Sequence, residues 1–152
     1  MDVERFLKEA GVEYEKHEHP PAYTAQGLAA IEHVKGDAIA KSVVVYADGN
    51  RVLCVLPASH KIDLDKLAAD LGAAQCRLAD ELDLERLFPD TELGAEPPFG
   101  KPYGLQTLVD GHLALCDTIT FNAGTHRQAI RMRYSDYARL AEPMVLDFAV
   151  HR

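Results

Sequence analysis

Apolar residues recur at Val3, Phe6, Leu7 and Ala10, the i, i+3, i+4, i+7 spacing of one helical face. Asp2 is placed to cap that helix and Gly11 to end it. Val12 to Glu18 then reads as a short strand halted by Pro20-Pro21. Thr24 is placed to cap a second helix carrying Leu28, Ile31 and Val34 and closed by Gly36-Asp37. There the pattern changes. Ala40-Lys41-Ser42-Val43-Val44-Val45-Tyr46 is a near-continuous β-branched run, the mark of a strand buried on both faces. Asp48-Gly49-Asn50 is a hairpin signal, with Arg51 to Pro57 as the returning strand.

Asp63 predicts the cap of a third helix, with Leu64, Leu67, Ala68 and Leu71 on one face and Gly72 at its end. Ala74 to Leu78 reads as a strand and Asp80 to Leu87 as a helix. Phe88 to Gly104 holds four prolines and three glycines, which makes it a loop. An irregular segment of that length is uncommon in a compact domain unless it builds a site. Leu105 to Val109 and His112 to Cys116 are predicted to pair as a hairpin around Asp110-Gly111. Thr118 to Asn122 and Gln128 to Met132 flank a second turn, Ala123 to His126. Ser135 is placed to cap a short helix through Leu140, and Met144 to Phe148 to close the sheet. Hairpin strands interleaved with helices predict an α+β fold: one domain over residues 1–152 with a central mixed, partly closed β-sheet flanked by helices.

Composition narrows the function classes. A chain of 152 residues, 47% apolar and 26% charged, can bury a real core without disulfides or metal. No apolar run approaches the roughly 20 residues that span a bilayer. The start, Met1-Asp2-Val3-Glu4-Arg5-Phe6, lacks the basic and apolar regions of a secretory signal. A soluble, cytoplasmic protein with no membrane partner is expected. The formal charge of −8 argues against duplex DNA binding by counterion release, though not against a partner held at one small pocket. Cys54, Cys76 and Cys116 are widely spaced and read as buried structural thiols in a reducing compartment. His17 and His19 share a strand face but have no third ligand at a telling distance, so no metal is expected. His33, His60, His112 and His151 show no grouping that favours catalysis. P-loop, G-x-S-x-G and G-x-G-x-x-G motifs are missing, and no cofactor is predicted.

Lys41 enters the mouth of an apolar strand, where its ammonium must reach water or find a partner; snorkelling is the simpler alternative to a functional role. Gly94-Ala95-Glu96-Pro97-Pro98-Phe99-Gly100 cannot join a regular element. Its prolines fix φ and lack N–H donors, so the backbone presents carbonyl acceptors, and its glycines allow close approach of a ligand. Such a surface suits an ammonium, for example the α-amine of an amino acid; a stiff surface loop is the alternative. Asn122, Gly124, Thr125 and His126 put an amide, a hydroxyl and an imidazole in one turn, which can either line a pocket or satisfy its own backbone.

Five segments in order resemble the YbaK/ProX family, free-standing relatives of the editing domain of bacterial prolyl-tRNA synthetase. They are Thr24-Ala25, Ala40 to Val45, Pro57 to Leu67, Gly94 to Gly100 and Phe121 to His126, and the likeness runs from about Tyr14 to Leu140. The resemblance implies a trans-acting deacylase that hydrolyses the ester of a mischarged aminoacyl-tRNA at its 3′ end. Alanine on proline tRNA is the most typical substrate, with cysteine, serine or threonine, or a non-catalytic amino-acid or nucleotide-binding module, as alternatives. It implies Lys41 as the catalytic residue and Gly94, Ala95, Glu96, Pro97, Pro98 and Gly100 as the substrate loop. Asn122, Gly124, Thr125 and His126 follow as pocket residues. A synthetase or elongation factor would deliver the substrate, with Lys61, Lys66, Arg127, Arg131 and Arg133 as a local basic rim.

Overall fold

Four side chains cap helices by accepting a backbone N–H three residues on: Asp2 from Arg5, Thr24 from Gly27, Asp63 from Lys66 and Asp80 from Asp83. Each satisfies an orphan donor of a first turn, an effect of about 1 kcal/mol. The computed structural model describes residues 1–152, and these caps open α1 (Val3–Ala10), α2 (Ala25–Glu32), α3 (Leu64–Leu71) and α4 (Glu81–Leu87). Gly11 and Gly72 end α1 and α3 in the left-handed region, as expected. α2 stops earlier than the pattern suggests: His33 takes the left-handed position at φ 56°, and Gly36–Ala38 forms a separate 3₁₀ turn.

β2 (Ala40–Ala47) and β3 (Asn50–Pro57) pair over their whole length, from Ala40 opposite Pro57 to Ala47 opposite Asn50. Asp48 (φ 50°) and Gly49 (φ 88°) supply the two positive φ values that a tight hairpin requires. Around this hairpin the order is β5-β2-β3-β6-β9, with β5 (Cys76–Leu78) antiparallel to β2, and β6 (Gln106–Asp110) and β9 (Met144–Leu146) added in parallel. A second sheet, β1-β8-β7, is antiparallel and consists of Tyr14–Glu18, Gln128–Arg133 and Thr118–Asn122. A parallel bridge from Ile39 to Thr120 links the two, so the mixed sheet is partly closed as expected. β4 (His60–Ile62) pairs with β10 (Ala149–His151) as a short ribbon; α5 (Gly111–Ala114) and α6 (Tyr134–Ala141) complete the chain.

The β2–β3 hairpin divides the core. Val44, Leu53 and Val55 face one cluster with Phe99, Phe121 and Tyr137, while Val45, Cys54 and Leu56 face another with Leu67, Leu108 and Phe148. Double-sided burial is why the valine run lacks alternation. Cys54 is fully buried, which pushes its thiol up to about 12; Cys76 and Cys116 are only half-buried.

Asp110-Gly111 is not a hairpin turn. β6 runs parallel to both neighbours and hands the chain to α5. Asp110 is fully buried there: one carboxylate oxygen accepts the backbone N–H of Phe148 and Ala149, the other that of His112 together with its Nδ1. The expected Met144–Phe148 strand accordingly splits into β9 and β10 where Phe148 turns in to this carboxylate. α6 begins one residue before the expected cap, with Arg133 at its N-cap and no side-chain cap bond.

Candidate active site

Lys41 stands at the entry of β2, opposite Leu56. Its side chain is half-buried, forms no ion pair, and donates from Nζ to the His60 carbonyl at 2.6 Å. Burial, and then the Arg152 charge, lower its pKa to about 8. An ammonium carries three N–H donors, so two remain for another ligand.

The Gly94–Gly100 segment is a buried loop rather than a surface one. Ala95 to Gly100 are all buried, and Phe99 anchors the segment in the core against Phe6, Phe121 and Tyr137 at 5.2, 5.8 and 5.2 Å. Burying such a ring contributes about 2–3 kcal/mol. Several loop carbonyls already have donors: Ala95 from Gly124 N, Pro97 from Phe99 N and Pro98 from the Tyr137 hydroxyl. The carbonyls of Gly94, Glu96 and Phe99 receive no donor, and neither does a side-chain oxygen, Oε2 of Glu96, a residue only 7% exposed. Burial raises its carboxyl pKa, while the backbone N–H groups of Glu96 and Gly94 and the nearby His126 oppose that rise.

Two loop glycines have structural reasons. Gly94 sits at φ +87° with the His126 ring 3.4 Å from where a Cβ would stand. A Cβ on Gly100 would meet the Leu105 carbonyl at 2.5 Å, and Gly100 N donates to Thr107 Oγ1.

The Asn122–His126 turn separates into two uses. Thr125 Oγ1 accepts from Arg127 N, within its own turn. Gly124, at φ +88°, exchanges backbone bonds with Ala95 and Glu92. His126 is buried with Nδ1 3.0 Å from the Ala22 carbonyl and Nε2 2.7 Å from that of Leu93, and its own N–H donates to Glu92. Its ring therefore staples the loop to the approach of α2. Asn122 alone of this group reaches the cleft, with Oδ1 buried and unpartnered.

Lys41, Gly94, Glu96 and Asn122 meet there. Ala25, Leu28, Ile39 and Ala40 form the apolar wall, and Ser42 adds a hydroxyl. The free volume is about 30 Å³, room for roughly one water. Three oxygens in it lack any partner: Ser42 Oγ, Glu96 Oε2 and Asn122 Oδ1. Buried acceptors without donors are rare, and three of them lie on residues lining this one cleft. Ser42 escaped the sequence reading; its only signal was a hydroxyl interrupting an apolar run. A larger groove of about 650 Å³ lies along β1, β7 and β8, lined by Glu13, Glu15, Arg131 and Arg133 among others, and holds none of the expected site residues.

Other expectations change. His17 and His19 are not a pair: His17 Nδ1 meets Glu32 at 2.6 Å, and His19 Nδ1 meets the Pro20 carbonyl. His60, His112 and His151 do assemble, with ring centroids 4.5 and 5.1 Å from His60. Asp110, His112 and Asp147 bring ligand atoms within 4.8 Å, yet the oxygens of Asp110 accept four N–H donors and Asp147 pairs with Lys66. The expected basic rim is divided between two regions, Lys61 and Lys66 on β4 and α3, and Arg127, Arg131 and Arg133 on or beside β8.

Comparison with known proteins follows the same outline. Residues 19–140 match the family model of the aminoacyl-tRNA editing domain. Over 127 residues the chain is 32% identical to the multifunctional Ser/Thr-tRNA deacylase ProXp-y of Escherichia coli K12, covering 78% of this chain and 75% of that one. The fold matches hypothetical protein APE2540 at TM-score 0.89 and 20% identity, over 99% of this chain and 100% of that one. A proposed trans-editing enzyme for prolyl-tRNA synthetase matches at TM-score 0.86 and 22% identity, over 98% and 95%. No helix is long and apolar enough to cross a membrane. By the span of the family match and the identity to a curated relative, the chain belongs to the aminoacyl-tRNA editing domain family.

Proposed function

We propose that this protein is a trans-acting aminoacyl-tRNA deacylase that removes a small mischarged amino acid, with the aminoacyl end of the tRNA seated between Lys41 and Glu96. The observation that carries the reading is the set of unpartnered oxygens, Ser42 Oγ, Glu96 Oε2 and Asn122 Oδ1, beside a half-buried lysine. An α-ammonium has three N–H donors to match three acceptors, and its charge offsets the cost of ionising buried Glu96. In this reading the loop holds the amine through the Glu96 side chain together with its free carbonyls.

An aminoacyl ester is already activated. Water attacks its carbonyl carbon, the C–O bond to the ribose breaks, and the leaving ribose oxygen takes a proton. Free amino acid and a tRNA with a free terminal hydroxyl result. Lys41, with two donors left, stabilises the charge that develops on the ester oxygen or holds the adjoining phosphate. The cleft positions the water, and the substrate's own ribose hydroxyl assists its activation.

Alanine on proline tRNA is the first reading, because the smallest side chain asks the least widening of a cleft of about 30 Å³. Serine or threonine is the second reading, supported by the Ser42 hydroxyl and by the activity named for the E. coli relative. A buried hydroxyl acceptor would discriminate against alanine, which lacks a partner for it. A synthetase or elongation factor is proposed to deliver the substrate, since a chain of charge −8 offers tRNA little general attraction. Incubation with a panel of mischarged tRNAs, following ester loss, tests the proposal; ester loss no faster than without protein across the panel would exclude it.

A further inference from the structure

We propose that the imidazoles of His60, His112 and His151, together with Arg152, form a seat beside Lys41 for the nucleotide that carries the amino acid. This rests on the deacylase reading for the identity of the ligand, but not for its chemistry.

The cluster begins at the residue whose carbonyl receives Lys41 Nζ, so it adjoins the active cleft. His60 is buried, and the rings of His112 and His151 lie 4.5 and 5.1 Å from it by centroid. Their outer faces are open, because His112 and His151 are both exposed. Every Nδ1 is tied down: His60 to Ser59 Oγ at 2.8 Å, His112 to Asp110 Oδ2 at 2.7 Å, and His151 to the Arg152 main-chain oxygen at 2.9 Å. These acceptors fix the tautomer, so each neutral ring keeps its proton on Nδ1 and leaves its Nε2 bare. None of the three Nε2 atoms makes a hydrogen bond within the protein.

The neighbouring charges select the ligand. Each nearby carboxylate already has donors: Asp110 from four N–H groups, Asp147 from Lys66, and Asp37 from the Ser59 hydroxyl. Lys41 and Arg152 have no carboxylate partner, and each places its charge in the other's field. A bare metal ion would meet that positive field, and the three rings do not bring their ligand atoms within the 4.8 Å spacing reached by Asp110, His112 and Asp147. A nucleotide answers every feature. Its phosphate faces Lys41 and Arg152, its base stacks on an open imidazole face, and its amino or ribose hydroxyl groups donate to Nε2.

The test is a histidine side-chain NMR titration of the intact protein with adenosine 5′-monophosphate, repeated with adenosine and with inorganic phosphate. The monophosphate is expected to shift the His112 and His151 ring signals at concentrations where adenosine or phosphate alone has little effect. His112→Ala, His151→Ala and Arg152→Ala are each expected to weaken binding at least fivefold; the His112 imidazole also donates to buried Asp110, so Tm is read beside its affinity, and His151→Ala and Arg152→Ala decide the matter where that variant loses stability. In deacylation assays the same changes should appear chiefly in KM. Unmoved ring signals under the monophosphate overturn the seat even if deacylation is intact. So does a response to Zn²⁺ alone, which would make the cluster a metal site. Monophosphate binding without any deacylation would leave the seat standing and remove the catalytic reading instead.

Discussion

The ammonium of Lys41 rests on the carbonyl oxygen of His60 at 2.6 Å, joining the first strand of the central hairpin to the short β4–β10 ribbon. That contact gives a half-buried cation a neutral acceptor and no counter-ion, so its charge is left uncompensated. Its pKa falls despite that contact: burial acts first, and the Arg152 charge adds to it.

Lys41→Ala is therefore expected to lower deacylation about 10²-fold or more, the usual cost of one preorganised electrostatic group. The wild-type rate, divided by the uncatalysed rate, should fall as pH rises through about 8, where Lys41 loses its proton. Lys41→Arg should hold whatever activity it retains beyond that pH, and Arg152→Ala should move the alkaline limb upward. Because the folded-state pKa lies below that of a free lysine, the charged form costs stability as pH falls through about 8. Lys41→Met should consequently show no loss of Tm at pH 7, which separates chemistry from folding. A flat rate ratio up to pH 10 would remove the lysine from the mechanism.

Glu96→Gln should separate function from stability in the opposite way. Burial raises the Glu96 pKa, so its protonated form is favoured in the folded state and stability is lost as pH rises through that raised value. The amide removes the charge. Its Tm at pH 7.5 should rise, by about 2–4 °C for each kcal/mol recovered, and the gain should vanish at pH 4. Activity should drop at least tenfold. A less stable variant at pH 7.5 would mean that the carboxylate is paired in a way the unpartnered Oε2 does not suggest.

Lys41, Gly94, Glu96 and Asn122 of the candidate site were legible in the sequence, for physical reasons that differ by residue. Lys41 stood out because a charge at the edge of a valine run contradicts its surroundings, and the Gly94–Gly100 loop because no regular element tolerates its prolines. The hairpin at Asp48-Gly49 and the caps at Asp2, Thr24 and Asp63 are local chemistry and were read correctly, whereas Asp80, expected as the first residue of its helix, is its cap. Asp110 was misread because Asp-Gly is equally a turn and a strand-to-helix cap; the donors that decide it, Phe148 and Ala149, come from far along the chain. His60, His112 and His151 lie on three separate elements, so no spacing announces their cluster.

Gly100→Ala tests how the loop is held. The new methyl would stand 2.5 Å from the Leu105 carbonyl and 2.7 Å from Thr107 Oγ1, against atoms that cannot swing away. Overpacking of this kind costs about 1–3 kcal/mol. Thermal unfolding should show a clear drop, whereas alanine at Gly111, with only one neighbour at 3.7 Å, should cost far less. Equal Tm values for the two variants would contradict the tight packing at Gly100.

Asp110→Ala should be among the most damaging single changes. It leaves the backbone N–H groups of His112, Phe148 and Ala149 without their acceptor in a fully buried place. At about 1–3 kcal/mol each, the loss exceeds roughly 3 kcal/mol. Chemical denaturation should place its midpoint far below wild type, with Asp110→Asn between the two because one oxygen remains. A near-wild-type midpoint for the alanine variant would mean that β10 docks without this carboxylate.

The amine-reading role proposed for Glu96 is tested most directly on the substrate. N-acetylation of the esterified amino acid removes its positive charge and leaves one N–H where three faced Ser42, Glu96 and Asn122. Two buried acceptors are then unsatisfied, at about 1–3 kcal/mol each, so wild-type hydrolysis should fall at least tenfold. The informative comparison pairs this change with Glu96→Gln. If the carboxylate and the ammonium meet, removing both should cost less than the sum of removing each, and the variant should discriminate less between free and acetylated substrates. Steric exclusion of the acetyl group would leave the discrimination undiminished in the variant. Undiminished discrimination, or equal cleavage of both substrates by the wild type, would therefore take the α-ammonium away from Glu96.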